Sequence, residues 1–560
     1  MQKIYLVLAL LPCLLKAQQF EWANTFGGPQ SDNAQRIAPA PQGGVFVAGN
    51  FQAPATFSQT TVEGYGFQDV YIARYSATGQ LLWVKAIGGS GNDQVSALAT
   101  DPLGNVWVSG RFTGSIDVNP DAEEQLIASN PANGLDGFLV RLEGETGSLL
   151  SFVDLSPGGV IDIRSIRYNY DSNELYLCGQ YNNTVDFDFG PGTASRSSFV
   201  FSGDGFLAKY DTDLNLQWVN TIGSTTPVID YVSSLAISAD GFVYCTGLLG
   251  GTADIDPGAG TTNLVCATDA YLIKYNANTG ALAWGFNLGA NSIELGNQVM
   301  VTPDNQVVLN GSMNSSSMDV DPGFATVQLS SNGIAAAPFL LRYTNQGNYV
   351  NGFVAEGLSG LNATFGSMVF TPENQVLLSG TFTGNLTLPS AAGTVSLVSG
   401  IESDGFLVYL NENNQLVNLI QILGTGAQSV LDIEMSNSIL HVAGQLEGNT
   451  NPGADALNDV VPSDTTLQGY LFRYNLSPTG GWLSASGQQP LMAWPNPANE
   501  SLFLNTRAHE PYAVFNLSGQ LLLQGQGNTL PVHQLPPGLY IVSVQKAEGP
   551  QQLKFIRGGN

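Results

Sequence analysis

A short apolar run closing on glycine recurs seven times between Val45 and Gly444, and this recurrence restricts the chain to a repeat architecture. The copies are Val45-Phe-Val-Ala-Gly49, Val106-Trp-Val-Ser-Gly110, Leu175-Tyr-Leu-Cys-Gly179, Val243-Tyr-Cys-Thr-Gly247, Val307-Val-Leu-Asn-Gly311, Val376-Leu-Leu-Ser-Gly380 and Ile439-Leu-His-Val-Ala-Gly444. Six intervals cover 395 residues, a period of about 66, at or just above the range of solenoids, propellers and arrays.

Each unit carries four strand signals. In the fourth they are Ser234-Leu-Ala-Ile-Ser238, Phe242 to Gly247, Ala270 to Tyr275 and Leu282-Ala-Trp-Gly-Phe286, with turn residues at Asp240-Gly241 and Asn278-Thr-Gly280. Four-stranded antiparallel units repeated around an axis predict propeller blades. The third strand also recurs seven times, as in Asp69 to Tyr75, Asp204 to Tyr210 and Asp404 to Leu410. A fourth-strand pattern, clearest at Leu81-Leu-Trp83, Leu216-Gln-Trp218 and Leu282-Ala-Trp284, appears once more near the N-terminus as Phe20 to Gly28, before any third strand exists for it to follow. This displaced copy is expected to complete the seventh blade and remove the open sheet edge. Gly480-Gly-Trp-Leu-Ser484 is a rival for the same slot.

The phrase Asp-Gly-Phe-Leu-Ala-Lys-Tyr, followed by Gly-x-Leu-x-Trp, Ile-Gly and Gly-x-Val-Tyr-Val-x-Gly elements, resembles the seven-bladed β-propeller repeat proteins of bacterial exoproteomes. That resemblance covers roughly residues 20–476 and implies a fold, with no single activity. Beyond it, residues 477–490 read as a linker rich in Ser, Gly and Pro. A different all-β pattern then fills residues 491–560, with enough short strands for a small Ig-like β-sandwich. Its landmarks are Trp494-Pro-Asn-Pro497, Phe515-Asn-Leu-Ser-Gly-Gln520, Leu535-Pro-Pro-Gly-Leu-Tyr-Ile-Val542 and Lys554-Phe-Ile-Arg557. In this order they resemble the type A C-terminal sorting domain of the type IX secretion system of Bacteroidetes. The resemblance implies that Pro495, Asn496, Pro497, Gly519, Gly538, Tyr540, Lys554 and Arg557 carry the sorting signal, with the secretion machinery as partner. Gly558-Gly-Asn560 extends past the usual end of the pattern.

The expected fold class is therefore all-β, a propeller over residues 18–476 followed by the small sandwich. Residues 1–17 have the shape of a secretory signal peptide: Lys3, an apolar run from Ile4 to Leu15, and Ala17 before the cleavage point. No other stretch is long and apolar enough for a spanning helix, so no transmembrane segment is expected in the mature chain. The net charge of −27, with 18 Lys plus Arg against 45 Asp plus Glu, disfavours nucleic acid and anionic membrane surfaces.

Past the signal, Cys178, Cys245 and Cys266 remain, an odd number. Cys178 and Cys245 are offset by one residue within the repeat, which puts them on opposite sheet faces and argues against bridging them. A Cys245–Cys266 bridge stays open beside the expectation of buried free thiols.

Catalytic motifs are missing. Only His441, His509 and His533 occur, and His441 fills a slot held elsewhere by Val, Leu or Tyr, as a packed residue would. No zinc-binding, nucleophile-elbow or phosphate-loop pattern is present. Four blades carry acidic or amide pairs after the second strand: Asp117 and Asn119, Asp186 and Asp188, Asp254 and Asp256, Asp319 and Asp321. Alternation puts each pair on one face, which suits hard oxygen donors for calcium, the one cofactor the sequence suggests. Turn formation by Asx side chains is the competing reading. Trp22, Trp83, Trp218 and Trp284 share one slot, as do Arg74, Arg141, Lys209, Lys274, Arg342 and Arg473, so both sets read as architectural. A ligand site should break the repeat's symmetry. The expectation is an exported, non-catalytic binding or adhesion module for an extracellular glycan, protein or matrix component; the alternative is a polysaccharide hydrolase or lyase on the same scaffold.

Overall fold

The computed structural model describes residues 19–452, apart from 122, 130–133, 156–157, 200–202, 332–335, 358–361, 392 and 400–401, then 466–476 and most of 493–557. The segments expected to be the signal peptide and the linker, the rival segment at 480–484, and Pro495, Asn496, Pro497 and Gly519 lie outside the described residues. The chain divides into two compact units, one of Glu21–Gly453 with Asp459–Arg473, the other containing Tyr474–Asn560.

The larger unit is built from antiparallel sheets in which four consecutive strands run outward from a common axis. One such sheet orders Tyr231–Ile237, Phe242–Asp254, Asn263–Asn276 and Leu282–Leu288. The second and third strands are buried along nearly their whole length, as in Val45–Phe51 and Asp69–Tyr75. Neighbouring sheets cover both of their faces, so these strands read as continuous apolar runs. Fourth strands such as Leu282–Leu288 are mostly half-exposed. Apolar clusters consequently sit between sheets, one of them joining Tyr176, Cys178 and Leu207 to Val243, Cys245 and Tyr271.

The glycine that closes each repeat phrase has a local cause. The first strand carries a one-residue bulge opposite it, for example between Val232 and Ser234. This brings a first-strand carbonyl over the glycine: a Cβ on Gly247 would lie 2.0 Å from the Tyr231 oxygen, and one on Gly444 1.9 Å from the Ser429 oxygen. The third-strand aromatic opposite the glycine lies over the same gap. Tyr271 and Tyr470 donate their hydroxyls to those very carbonyls, at 3.0 and 3.1 Å. Any side chain would displace both the carbonyl and the ring.

First strands contact one another in cyclic succession, from Arg36–Pro39 through Gln94–Thr100, Gly159–Asn169, Tyr231–Ile237, Glu294–Val301 and Asn362–Phe370 to Gln428–Ser436, which returns to Arg36–Pro39. Gln19–Gly27 lies beside Gln468–Asn475 as the fourth strand of the sheet that begins with Gln428–Ser436, with the short strands Ala55–Phe57 and Thr60–Val62 beyond it. Arg473 Nε meets Glu21 Oε2 at 2.6 Å, the Asp32 N–H bonds the Leu467 carbonyl at 2.9 Å, and the Ala34 N–H bonds that of Gly444 at 3.1 Å. The ring is thus joined between the two ends of the repeat region.

In the smaller unit, Leu521–Gln526, Pro511–Phe515, Gly538–Lys546 and Gly549–Arg557 form one sheet, and Ala493–Trp494, Leu502–Leu504 and Thr529–Leu530 another. Leu502, Leu504, Val514, Leu530, Val542 and Val544 share its apolar core. Among the sorting residues, the Tyr540 hydroxyl donates to the Pro536 carbonyl at 2.6 Å, and Arg557 is buried.

Candidate functional site

The recurrent polar residues are engaged in building the ring. On the paired third and fourth strands, a cation and an indole reach the next sheet together. Arg74 and Trp83, direct cross-strand neighbours, both donate to the Gly144 carbonyl, at 2.9 and 3.0 Å. Lys274 and Trp284 do the same to Asn345, at 2.9 and 3.2 Å. Trp218 bonds Ala277 at 3.2 Å, while Trp22 and Arg473 bond Ala77 and Gly43, at 3.1 and 2.8 Å. Arg342 bonds Asn414 Oδ1 at 2.7 Å, Arg141 bonds Asp101 Oδ2 through Nε at 3.1 Å, and Lys209 pairs with Glu174 at 2.6 Å.

The calcium candidates form hairpin turns. Oδ1 of Asp117, Asp186, Asp254 and Asp319 each accepts two backbone N–H groups, those of Asn119 and Gln125, Asp188 and Ala194, Asp256 and Thr262, and Asp321 and Val327. Asp188, Asp256 and Asp321 accept from Gly190, Gly258 and Gly323, at 2.9, 2.8 and 2.8 Å. Among the described residues, no three His, Cys, Asp or Glu side chains gather as a metal site. His441 is buried against Arg473, with Nε2 3.4 Å from the guanidinium, and burial together with that charge pushes its pKa down to about 3.

The three cysteines are free and buried, and burial pushes each thiol up. Cys178 and Cys245 nevertheless share one apolar cluster. The one-residue offset does not separate them, because adjacent blades present opposite faces to each other. They stay unbridged all the same, as expected of buried free thiols.

What breaks the repeat lies on the axis. The first strands enclose a cavity of about 570 Å³, lined by Arg36, Arg164, Arg167, Asp432 and Glu434 among mostly small and apolar neighbours. Two of these charges stand opposite the residue before the repeat glycine: Arg36 faces Ala48 and Asp432 faces Ala443, where other blades place Ala97, Ser165, Ser234 and Gln298. Two residues along the strand, Arg167 faces Tyr176 and Glu434 faces His441, where other blades place Ala38, Ala99, Ala236, Met300 and Val369.

Asp432 is held by the Ile37 N–H at 3.0 Å and the Ile433 N–H at 3.0 Å. Burial raises its pKa, and the Arg36 guanidinium opposes the rise. Glu434 is half-buried; burial first and the Asp432 charge second push its carboxyl up to about 8, against the pull of Arg167. Burial lowers the Arg36 pKa, the Asp432 charge opposes the fall, and repulsion from Arg167 adds a smaller lowering. Sequence reading missed all four. First strands are bulged, so their register is hard to align, and only alignment reveals that a charge replaces Ala, Ser, Gln, Val or Met.

Residues 492–557 match the family model described as the secretion system C-terminal sorting domain. Over 535 residues the chain is 21% identical to an uncharacterized WD repeat-containing protein of Acanthamoeba polyphaga mimivirus, covering 81% of this chain and 38% of that one. Over 284 residues it is 23% identical to the regulatory protein FlaEY of Caulobacter vibrioides, covering 47% of this chain and 27% of that one. The chain spans well under half the length of these curated relatives. Among solved structures, the quinohemoprotein alcohol dehydrogenase of Comamonas testosteroni is 10% identical with a TM-score of 0.35, covering 87% of this chain and 79% of that one. An ulvan lyase is 12% identical with a TM-score of 0.37, covering 74% of this chain and 92% of that one. Likeness at that level bears on no individual residue. Among the described residues, no helix is long and apolar enough to cross a membrane.

Proposed function

Because the chain carries a type IX secretion C-terminal sorting domain together with a β-propeller-like domain, it is secreted or attached to the cell surface, and we propose that there it is a seven-bladed, non-catalytic binding module with its ligand site in the axial channel. The carrying observation is the asymmetry of the channel. The repeated cations and tryptophans are taken up in joining blades, while Arg36, Arg167, Asp432 and Glu434 depart from the repeat and line a cavity within the roughly 300–1,000 Å³ of ligand-holding clefts. The ring lies between the N-terminal strand and residue 476, with the C-terminal sandwich as the exported address. Calcium at the Asp-x-Asp turns belongs to this reading only as a stabilising ion.

Screening the purified protein against glycan, small-molecule and protein arrays tests the proposal. Binding that weakens when the channel arginines are replaced supports it; turnover of a polysaccharide or peptide counts against the non-catalytic part. That second outcome is the alternative reading, a polysaccharide hydrolase or lyase. It is favoured by one observation: adjacent channel carboxyls are tuned apart, one held by backbone N–H groups and the other pushed up to about 8.

A further inference from the structure

The channel's charge runs against that of the whole chain. Net charge is −27 and the chain has 18 Lys plus Arg, yet three arginines and only two acids line the axial cavity. Arg164 has its partners: Asp162 Oδ2 at 3.2 Å, Gln180 Oε1 at 3.1 Å, and the Tyr231 ring 3.9 Å beneath its guanidinium. Arg36 donates Nε to the Ser96 carbonyl at 2.8 Å and Nη1 to the Gln35 carbonyl at 2.8 Å, which leaves Nη2. Arg167 is exposed to the channel and makes one long bond, to the Ile166 carbonyl at 3.4 Å through Nη1.

Arg36 thus has the Asp432 carboxylate as its counter-charge, an attraction that outweighs the repulsion from Arg167, whereas Arg167 faces the channel with a single long bond to a backbone carbonyl. Three guanidinium groups against two carboxyls leave the cavity with an excess of positive charge that attracts an anion. Guanidinium groups match carboxylates geometrically as well as electrically, through paired N–H donors.

We propose that the channel binds a small organic carboxylate, whose anionic group lies between Arg36 and Arg167 and whose neighbouring hydroxyl or carbonyl oxygen accepts a hydrogen bond from Glu434. This rests on the channel-binding reading above and gives it a ligand class. Glu434 serves as donor in its protonated form, which burial and the Asp432 charge favour by pushing the carboxyl up to about 8. The charged and titratable groups around it are Asp432 on its own strand, Arg36 and Arg167 from the facing first strands, Tyr170 beyond Arg167, and His441 across the strand pair. Ionisation of Glu434 above about pH 8 would put a second negative charge beside the bound anion, so affinity falls as pH rises through that value. The same ligand chemistry has two sources, a free sugar acid or a uronate residue of a polysaccharide.

Calorimetry of the purified full chain with galacturonate, its methyl ester and an oligogalacturonate tests this. The expected result is binding of the acid at pH 7, at least tenfold weaker binding of the ester, and at least tenfold loss in Arg167→Ala. Arg196→Ala, which removes a half-buried cation whose Nη1 bonds the adjacent Ser195 carbonyl and which does not line the cavity, is expected to leave binding unchanged. Glu434→Gln keeps a donor, so it should bind at pH 7 but lose the fall in affinity between pH 7 and 9. Tighter binding of the oligomer assigns the source to a polysaccharide, tighter binding of the monomer to a free acid. Ester and acid binding equally, or Arg167→Ala binding the acid as the wild type does, overturns the carboxylate inference. Neutral ligands found on arrays whose binding survives Arg167→Ala would do so while leaving the broader binding module standing.

Discussion

Gly247 shows how one residue can be dictated by three strands at once. The Tyr231 carbonyl comes from the first strand, the Tyr271 ring from the third, and the glycine between them from the second. Gly247→Ala is expected to lower stability by about 1–3 kcal/mol, read from urea unfolding, because neither neighbour has room to retreat. Buried carboxyls make a second prediction. Asp93 is fully buried, and burial followed by the Asp69 charge pushes its pKa up to about 7. The folded state then keeps a proton that the unfolded chain loses near pH 4, so this group's stabilisation is present below about pH 4 and is lost as pH rises to about 7. Asp93→Asn should flatten that part of the stability profile and raise stability at pH 8 relative to wild type. Cys178, Cys245 and Cys266 are expected to ignore thiol reagents in the native protein and to react after unfolding, three per chain once the signal peptide is gone.

Elements differ in how far they can be read from sequence, for a physical reason. Second and third strands such as Val45–Phe51 and Asp69–Tyr75 are covered on both faces, so their apolar runs stand out in every copy. The glycine phrase and the slots of Trp83 and Arg74 belong to these strands and their partners, and were legible in type and place. First strands line a channel on one side and are bulged. Arg36–Pro39 spans only four residues, and the charges of Arg167 and Glu434 could not be assigned to one site without the register. The cysteine offset argues against a Cys178–Cys245 bridge, and the thiols are free, although neighbouring sheets bring the two into one apolar cluster. Joining of adjacent blades is itself testable. Arg342→Ala removes a buried guanidinium from Asn414 and the Asn411 carbonyl, and is expected to destabilise by about 3 kcal/mol. Trp218→Phe, which loses only the bond to Ala277, should cost about 1 kcal/mol in the same urea titration.

At the scale of the whole molecule, the sorting domain and the proposed binding channel lie in separate units. Truncation after Gln489 removes the sorting domain and is expected to leave the propeller in the periplasm, followed by cell fractionation and immunoblotting. Undiminished display of the truncated chain at the surface would refute the role of that domain. Chelation with EDTA should leave the thermal midpoint unchanged if the Asp117, Asp186, Asp254 and Asp319 motifs act as turns, since backbone N–H groups already occupy their Oδ1 atoms. The pairing of Gln19–Gly27 with Gln468–Asn475 has a kinetic consequence. A contact spanning over four hundred residues must close a very long loop, and the entropy this costs is recovered only when the far strand arrives. Until then the half-made ring presents two unsatisfied edges to proteases and to other copies. Its vulnerable period is therefore transit, and a chaperone or a short dwell time would protect it more than any added native stability.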